Sequence, residues 1–492
     1  MKDLIQYISE YKNKTPNSTF ISSQFRNITY KEAYQKINTI AYNLKNLLDQ
    51  SNSIGLLGEE IPEYVLSYYG ILKSKNIAAL LPHHKSNKTI STLTKHANIN
   101  TIIYTDTYNN KIEKIENQRE KPFKRKIVIG EDTSSDYSII EFLNDSKQKD
   151  LFTRIALDDE ALILFTSGMT GFPKGVVYSH KNIMKNIRSF SKVIDPLKNL
   201  NTVSSLPDYN FISNILALNT TLVKGGTIIL SDSKDIEQLT KTISQQKGSL
   251  FLSTSHIYKK IYNNITNKHY LDSLSLCLSF GNSLESKFIS SWKDTFECDI
   301  LEGYGATEFP AITFNRLDSE SKINSVGTLL PGLEVKIADK NGAKTNIGET
   351  GELIIKKNSH IPDYLLPSQK SNSNWINTGD LFQKDIDGYL YYKGRKKDLI
   401  SRYGFKISPG KIRATMLSFN KIKDVFVLKL KGDRNDQIKL CIVPKRNKSL
   451  NKKDVFDYAK QNLPKYLAPD FVEFYENLPR NKIGKIERNK LL

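Results

Sequence analysis

The sequence predicts an α/β protein: a large N-terminal domain of α/β layers with parallel-rich sheets, a small β-rich subdomain, and a small α+β C-terminal domain. Three observations carry this. Over the first 150 residues, short apolar runs of buried-strand type alternate with stretches of helical periodicity, as expected for helices packed on a parallel sheet. Over residues 327–392 the pattern shifts to short strands and turns. Residues 394–492 then differ in charge from everything before them, with 25 Lys and Arg against 10 Asp and Glu.

The elements follow in order. MKDLIQYISEYKNK at the start reads as an amphipathic helix rather than a secretory signal. Ile28-Thr29-Tyr30-Lys31-Glu32 predicts a short strand entering a helix that runs through Ala41 and Leu44. Residues 53–57 and 78–81 are apolar runs of buried-strand type, and between them Tyr64, Leu66, Tyr69 and Leu72 recur at helical spacing. REKPFKRK, residues 119–126, reads as a polar basic loop, and residues 161–165 as an apolar strand. LEVKIAD, GELIIKK and DGYLYYKG mark the β-rich part. Further on, Ser408 is the expected N-cap and Pro409 the first helical residue, with Ile412, Met416 and Leu417 facing inward. Residues 424–430 and 438–443 are apolar strands joined by the turn-like KGDRNDQ, and Val455, Tyr458 and Ala459 mark another helix. The boundary between domains is placed at residues 394–397, giving domains 1–393 and 394–492.

Composition narrows the function classes. The 492 residues are 39% hydrophobic and 25% charged, a globular balance that excludes disorder. No apolar run approaches the roughly 20 residues of a membrane span, so no integral membrane segment is expected. Cys277, Cys298 and Cys441 are odd in number and far apart in the sequence, which gives neither a disulfide framework nor a metal spacing; the expected compartment is the cytoplasm. The net charge is +20, and the counts above place +15 of it in residues 394–492. Such a field attracts an anion: a nucleotide, coenzyme A or an acidic carrier protein. No zinc-finger spacing or RNP-type aromatic motif supports nucleic acid as a partner.

The sharpest local feature is ALILFTSGMTGFPKGVVYSH, residues 161–180. A strand runs into a loop of glycines and hydroxyls that carries Lys174. Glycines let backbone N–H groups turn toward an anion, hydroxyls add donors, and a lysine adds charge. The order Pro173-Lys174-Gly175 is not the Gly-Lys-Ser/Thr of a Walker loop. TSGMTGFPKG resembles instead the signature loop of the adenylate-forming superfamily, which includes acyl-CoA synthetases and the adenylation domains of peptide synthetases. Four further stretches match motifs of that family in its order: Glu302-Gly303-Tyr304-Gly305-Ala306-Thr307-Glu308; Asn377-Thr378-Gly379-Asp380; Gly394-Arg395-Lys396-Lys397-Asp398 with Gly404-Phe405-Lys406-Ile407-Ser408-Pro409; and Leu478-Pro479-Arg480-Asn481-Lys482-Ile483-Gly484-Lys485.

The resemblance implies an enzyme that joins a carboxylic acid to the α-phosphate of ATP, expels pyrophosphate, and passes the acyl group to the thiol of coenzyme A. It implies that Thr166, Ser167, Gly168, Met169, Thr170 and Gly171 hold the leaving phosphates, with Lys174 adding charge. Thr307 meets the α-phosphate and Glu308 binds Mg2+, a carboxylate with phosphate oxygens being the usual magnesium environment. Tyr304 stacks on adenine in a pocket shared with Gly281, Asn282 and Ser283. Asp380 accepts from the ribose hydroxyls, supported by Arg395. Lys485 swings over the α-phosphate and substrate carboxylate. Lys397 takes the hinge position of a mobile lid, and Gly404 lies where the pantetheine arm passes. Asn210, Phe211, Ser255 and Gly305 fall at the acyl pocket. Taken alone, Glu308 reads as a surface carboxylate, Asp380 as a turn residue closing the strand at Trp375-Ile376, and Lys485 as one more tail lysine.

Several residues depart from the family pattern. Met169 replaces a hydroxylic residue, Asn210 stands where many acyl-CoA synthetases carry a histidine, and Thr254-Ser255 where Pro-Thr is common. Lys411 and Arg413 stand at two usual glutamates. Two alternatives to acid–CoA ligation are kept: loading of an acyl or aminoacyl group onto the phosphopantetheine of an acidic carrier protein, and a catalytically silent nucleotide-binding homologue.

Overall fold

The structure, a computed structural model, describes residues 1–48, 52–130, 135–144, 150–166, 174–197, 199–207, 210–231, 235–281, 283–315, 322, 324–358, 360–366, 373–403, 405–432, 435–446, 448–480 and 486–492. It divides into two compact units, Met1–Leu333 with Lys357–Asn374, and Glu334–Lys356 with Trp375–Leu492. The small β-rich sheet therefore groups with the C-terminal residues, whereas the sequence reading kept it with residues 1–393.

Local chemistry starts the first unit as expected. Thr29 Oγ1 accepts the Glu32 N–H at 3.2 Å while Glu32 Oε2 accepts the Thr29 N–H at 2.8 Å. This capping box, worth about 1 kcal/mol, opens the helix Tyr30–Leu47. The helix buries Ala33, Ile37, Ala41 and Leu44 on one face. Among the described residues, two sheets form this unit. One has nine strands, with Thr19–Ser22, Thr227–Ile229, Asn201–Ser204, Leu250–Thr254, Leu276–Phe280 and Ile300–Ala306 side by side and parallel. Asn27–Thr29 adds antiparallel at one edge, and Phe309–Phe314 followed by Thr328–Leu329 at the other. The other sheet has eight strands, in which Ser53–Leu57, Ile77–Leu80, Thr101–Thr105, Arg125–Ile129 and Glu160–Phe165 are parallel. Gly175–Ser179 returns antiparallel on Glu160–Phe165, and Asp363–Tyr364 pairs antiparallel outside it. Parallel strands need both faces covered, and the near-continuous burial along Ile77–Leu80, Thr101–Thr105 and Leu276–Phe280 matches that.

In the second unit, Val335–Ala338, Thr350–Lys356, Trp375–Lys384 and Leu390–Arg395 form an antiparallel four-stranded sheet. Ile422–Leu430, Gln437–Pro444 and Phe471–Phe474 form a three-stranded sheet. Ile412 and Met416 of the helix Pro409–Leu417, with Val455 and Ala459 of the helix Lys452–Asn462, share a buried cluster with Val425, Ile438, Leu440 and Ile442 of these strands.

The structure corrects the sequence reading at three places. Arg125 and Lys126, read as loop, begin the strand Arg125–Ile129, because its parallel partner Thr101–Thr105 supplies a register that their polarity hides. Ser408 is at the N-cap, but its hydroxyl donates to Lys393 O at 3.0 Å instead of capping. Asp380 lies inside the strand Trp375–Lys384 and closes no turn. Cys277, on the strand Leu276–Phe280, and Cys298, two residues before the parallel neighbour Ile300–Ala306, stand 3.7 Å apart between sulfurs; both are buried and free. No helix of the described residues is long and apolar enough to cross a membrane.

Candidate active site

The phosphate-loop candidates hang on a hairpin. Glu160–Phe165 and Gly175–Ser179 pair antiparallel, with Phe165 opposite Gly175. The Thr166 N–H closes the ladder on Lys174 O at 2.8 Å. Thr166 and Lys174 thus stand at the two ends of the loop. Ser167, Gly168, Met169, Thr170 and Gly171 lie outside the described residues.

A second hairpin, Ile300–Ala306 with Phe309–Phe314, carries Thr307 and Glu308 at its tip. Gly305 has a packing reason of its own: a Cβ there would stand 2.2 Å from Pro310 O. Two tyrosines tie the hairpins together. Tyr178, fully buried on the return strand of the first, donates its hydroxyl to Thr307 O. Tyr364, on the outermost strand of the same sheet, hydrogen-bonds Glu308, and the Lys174 ammonium lies 5.1 Å from its ring centroid. Burial, and then the Glu308 charge, hold both phenols far above the ordinary tyrosine range, so both stay protonated donors. Two tyrosines that the sequence reading did not single out thus link Lys174, Thr307 and Glu308. Their only sequence signal is an apolar strand position in Tyr178 and an isolated aromatic in Tyr364.

Gly281 and Ser283 follow the strand Leu276–Phe280, whose parallel neighbour Ile300–Ala306 carries Tyr304; Ser279 is level with Glu302. Gly281 turns the chain at φ +95°, a conformation that favours glycine. The loop is held by Glu302, whose Oε1 accepts the Leu284 N–H at 2.7 Å. Burial pushes the Glu302 carboxyl up to about 7, against the opposing pull of that N–H. Glu302 is a second residue the sequence reading passed over, although it opens the motif that contains Tyr304. Asn282 lies outside the described residues.

Asn210 Oδ1 accepts the Ile212 N–H at 2.9 Å, just ahead of the helical segment Ile212–Asn219. Phe211 and Ser255 are buried. No hydrogen bond or ring contact among the described residues joins Phe211, Ser255 and Gly305. Level with Glu302 at the C-terminal ends of the parallel strands lie Ser279 and Ser253, and Ser253 Oγ meets Ser205 Oγ at 2.6 Å. Open α/β sheets bind ligands at this edge.

In the second unit, Asp380 sits opposite Arg395 across two strands, and Arg395 Nε meets Asp380 Oδ1 at 2.8 Å. The motif around them is locked. Thr378 Oγ1 donates to Leu353 O at 2.8 Å and accepts the Asp380 N–H at 3.0 Å, while Gly379 N–H goes to Glu352 at 3.1 Å. Lys397 is exposed, yet partial desolvation lowers its ammonium below the ordinary lysine range. Beside it, burial pushes Asp398 up, but the two Arg488 hydrogen bonds at 2.6 and 2.5 Å prevail and hold it below the usual carboxylate range. Gly404 and Lys485 lie outside the described residues. The residues on either side of 481–485 are joined by an Arg480–Ile486 bridge and by Glu487 N–H to Pro479 O at 2.9 Å. No group of three or more His, Cys, Asp and Glu that could hold a metal by itself gathers among the described residues.

Comparison with known proteins gives the arrangement its relatives. A family model described as AMP-binding enzyme matches residues 8–365. A long-chain-fatty-acid–CoA ligase of Yersinia pestis is 27% identical over 347 residues, which is 68% of this chain and 61% of that protein, so the match spans about three-fifths of the relative's length. One from Bacillus subtilis is 24% identical over 100% of this chain and 94% of its own. The crystal structure of the anthranilate CoA ligase AuaEII with anthranoyl-AMP superposes with a TM-score of 0.90 at 22% identity, covering 100% of this chain and 96% of that one. The fold is shared end to end, and the family model reaches from the first helix to Leu365, just past the tyrosine beside Glu308; the chain belongs to the AMP-binding enzyme family.

Proposed function

We propose that this chain is an ATP-dependent acid–thiol ligase acting in two steps. An oxygen of a substrate carboxylate attacks the α-phosphorus of ATP; the acyl–phosphate bond forms, the bond to the β-phosphate breaks, and pyrophosphate leaves. The thiol of coenzyme A then attacks the acyl carbon; the thioester forms, AMP leaves, and the thiol proton passes to solvent. The observation that carries this reading is the convergence of Lys174, Thr307 and Glu308 through Tyr178 and Tyr364.

Every reacting oxygen is anionic, so the chain contributes position and fixed charge. Thr166, Ser167, Gly168, Met169, Thr170 and Gly171 cradle the leaving phosphates, and Lys174 adds a cation. The Thr307 hydroxyl reaches the α-phosphate. Glu308 is one half-buried carboxylate beside the phosphate hairpin, a donor set that fits Mg2+ with phosphate and water oxygens completing it. When bound, the ion neutralises charge on the departing pyrophosphate. Tyr304, Gly281, Asn282 and Ser283 hold adenine, and Asp380 with Arg395 the ribose. Lys485 stabilises the charge that develops at the α-phosphate. Residues 394–492 act as the lid, with Lys397 at its hinge and Gly404 on the thiol path. Asn210, Phe211, Ser255 and Gly305 border the acyl group.

The names of the relatives span fatty and aryl acids, so both classes are the first to try. Acid-dependent pyrophosphate release with a panel of fatty, aryl and amino acids tests the proposal. Lys485→Ala should slow it by roughly 10²–10³-fold, the worth of one preorganised charge. Unchanged turnover would remove that assignment, and no release with any acid would favour a silent homologue. Competition between free coenzyme A and a purified carrier protein identifies the acceptor.

A further inference from the structure

The second unit holds a cavity of about 690 Å³ that none of the adenylation residues lines. Its wall carries Lys340, Lys393, Lys396, Lys406 and Lys411. Against these five ammonium groups stand two carboxylates, and both are engaged. Asp339 Oδ1 accepts the N–H groups of Asn341 and Ala343 at 2.8 and 3.0 Å. Glu352 takes the Gly379 N–H on one oxygen and the Lys396 ammonium at 2.7 Å on the other. Lys340, Lys406 and Lys411 have no ion pair among the described residues, so the cations left over repel one another across the cavity.

Two further features shape what such a cavity would take. The helix Pro409–Leu417 opens onto it at Gly410, and Ser408 spends its hydroxyl on Lys393 O rather than on the helix's first N–H groups. The positive end of the helix dipole thus adds to the ammonium field. The rest of the wall includes Leu381, Leu399 and Tyr392; the Tyr392 ring is well exposed and braced edge-on by Phe382 at 5.5 Å. An apolar wall with one aromatic face beside clustered cations suits a ligand that has a flat ring at one end and phosphates at the other. The volume is that of a small-molecule site, enough for a nucleotide.

We propose that this cavity is a second anion site, lined by none of the residues assigned to ATP, that takes a phosphate ester of nucleotide size. Ammonium groups and the helix end bind the phosphates, and Tyr392 stacks on the ring. The site does not depend on the ligase reading, because its test is binding and not turnover.

The experiment titrates adenosine 3′,5′-bisphosphate and inorganic pyrophosphate into the full chain by calorimetry at fixed ionic strength. Three proteins are compared: the unaltered chain, Lys340→Glu/Lys411→Glu, and the control Lys448→Glu/Lys453→Glu, which changes net charge equally on exposed lysines elsewhere in the unit. The expected result is a binding event weakened at least tenfold by the first pair and retained by the control. Tighter binding of the nucleotide than of pyrophosphate supports stacking on Tyr392, and equal or weaker binding of the nucleotide overturns it. Isotherms that superimpose for all three proteins, or that weaken equally in both variants, overturn the proposal. Matching circular dichroism spectra establish that the variants fold.

Discussion

Glu302 gives a prediction whose sign and size follow from its burial. The carboxyl is 5% exposed on the strand Ile300–Ala306, and the Leu284 N–H at 2.7 Å is too little to offset its lost hydration. Its pKa stands at about 7 rather than the ordinary 4.5. A carboxyl with a raised folded-state pKa holds its proton longer in the native protein than in the unfolded chain. Its contribution to stability is full below the unfolded value, falls as pH rises, and is gone once pH passes the folded value. The whole interval amounts to about 3 kcal/mol at 1.36 kcal/mol per pH unit, and the part between pH 5 and pH 8 to about 2–3 kcal/mol. Glu302→Gln removes the titration and keeps an oxygen for the Leu284 N–H. Denaturant unfolding of both proteins at several pH values is the assay. The unaltered protein should lose about 2–3 kcal/mol relative to Glu302→Gln between pH 5 and pH 8. Parallel stability curves for the two proteins would refute the reasoning.

Other outcomes follow from single contacts. Asp380→Asn breaks the 2.8 Å ion pair with Arg395 and, on the ribose reading, should raise the KM for ATP by about tenfold to hundredfold, the worth of a hydrogen bond to a charged group; steady-state kinetics at saturating acid checks it. The three cysteines are free and buried, and burial raises the Cys277 and Cys441 thiols. A thiol-specific disulfide reagent at pH 8 should titrate almost none in the native protein and all three after denaturation. Asp424 accepts from Arg413 at 3.1 Å and from Arg480 at 2.7 Å; with Arg480 five residues before Lys485, Asp424→Asn should lower the adenylation kcat while leaving the KM for ATP nearly unchanged, which steady-state kinetics checks.

What the sequence made legible, and what it hid, separates by contact distance along the chain. Helix Tyr30–Leu47 was readable because its capping box is written within four residues. The phosphate hairpin was readable because an apolar strand runs straight into its glycines. Strand–turn periodicity gave the β-rich sheet, but not which compact unit it joins, since that is decided by packing and not by pattern. Contacts across the fold left no trace. Tyr178 and Thr307 are 129 residues apart, and nothing local marks either as the other's partner. The Cys277–Cys298 contact arises from the register of two parallel strands. The same holds for the buried network in which Tyr69 donates to Asn219 at 2.9 Å and Asn219 to Tyr68 at 3.1 Å across 150 residues or more. Ser167, Gly168, Met169, Thr170 and Gly171 lie outside the described residues.

The charge of the C-terminal residues acquires a meaning it lacked as a count. Of the ten acids there, Asp398 is spent on an internal ion pair with Arg488, Asp424 on Arg413 and Arg480, Asp436 on Lys429, Asp454 on Lys421, Asp470 on Arg402 and Glu473 on Lys439. Exposed pairs of this kind contribute about 0–1 kcal/mol each, too little to account for so many lysines as a stability device. Their larger effect is to remove negative charge from the solvent-facing field, so the unpaired cations act together. Arg413 shows the difference between the two roles. Its Nε donates to Val425 O at 3.0 Å and its other end holds Asp424, which makes it an anchor between the helix Pro409–Leu417 and the strand Ile422–Leu430. Lys411, two residues away, has no such partner among the described residues and lines the cavity. A basic drift in composition would scatter unpaired lysines without regard to shape. Here those with no carboxylate partner include three that meet around one concave surface, and a surface of that form selects for phosphate more strongly than a flat one of equal charge, because its low-dielectric walls concentrate the field.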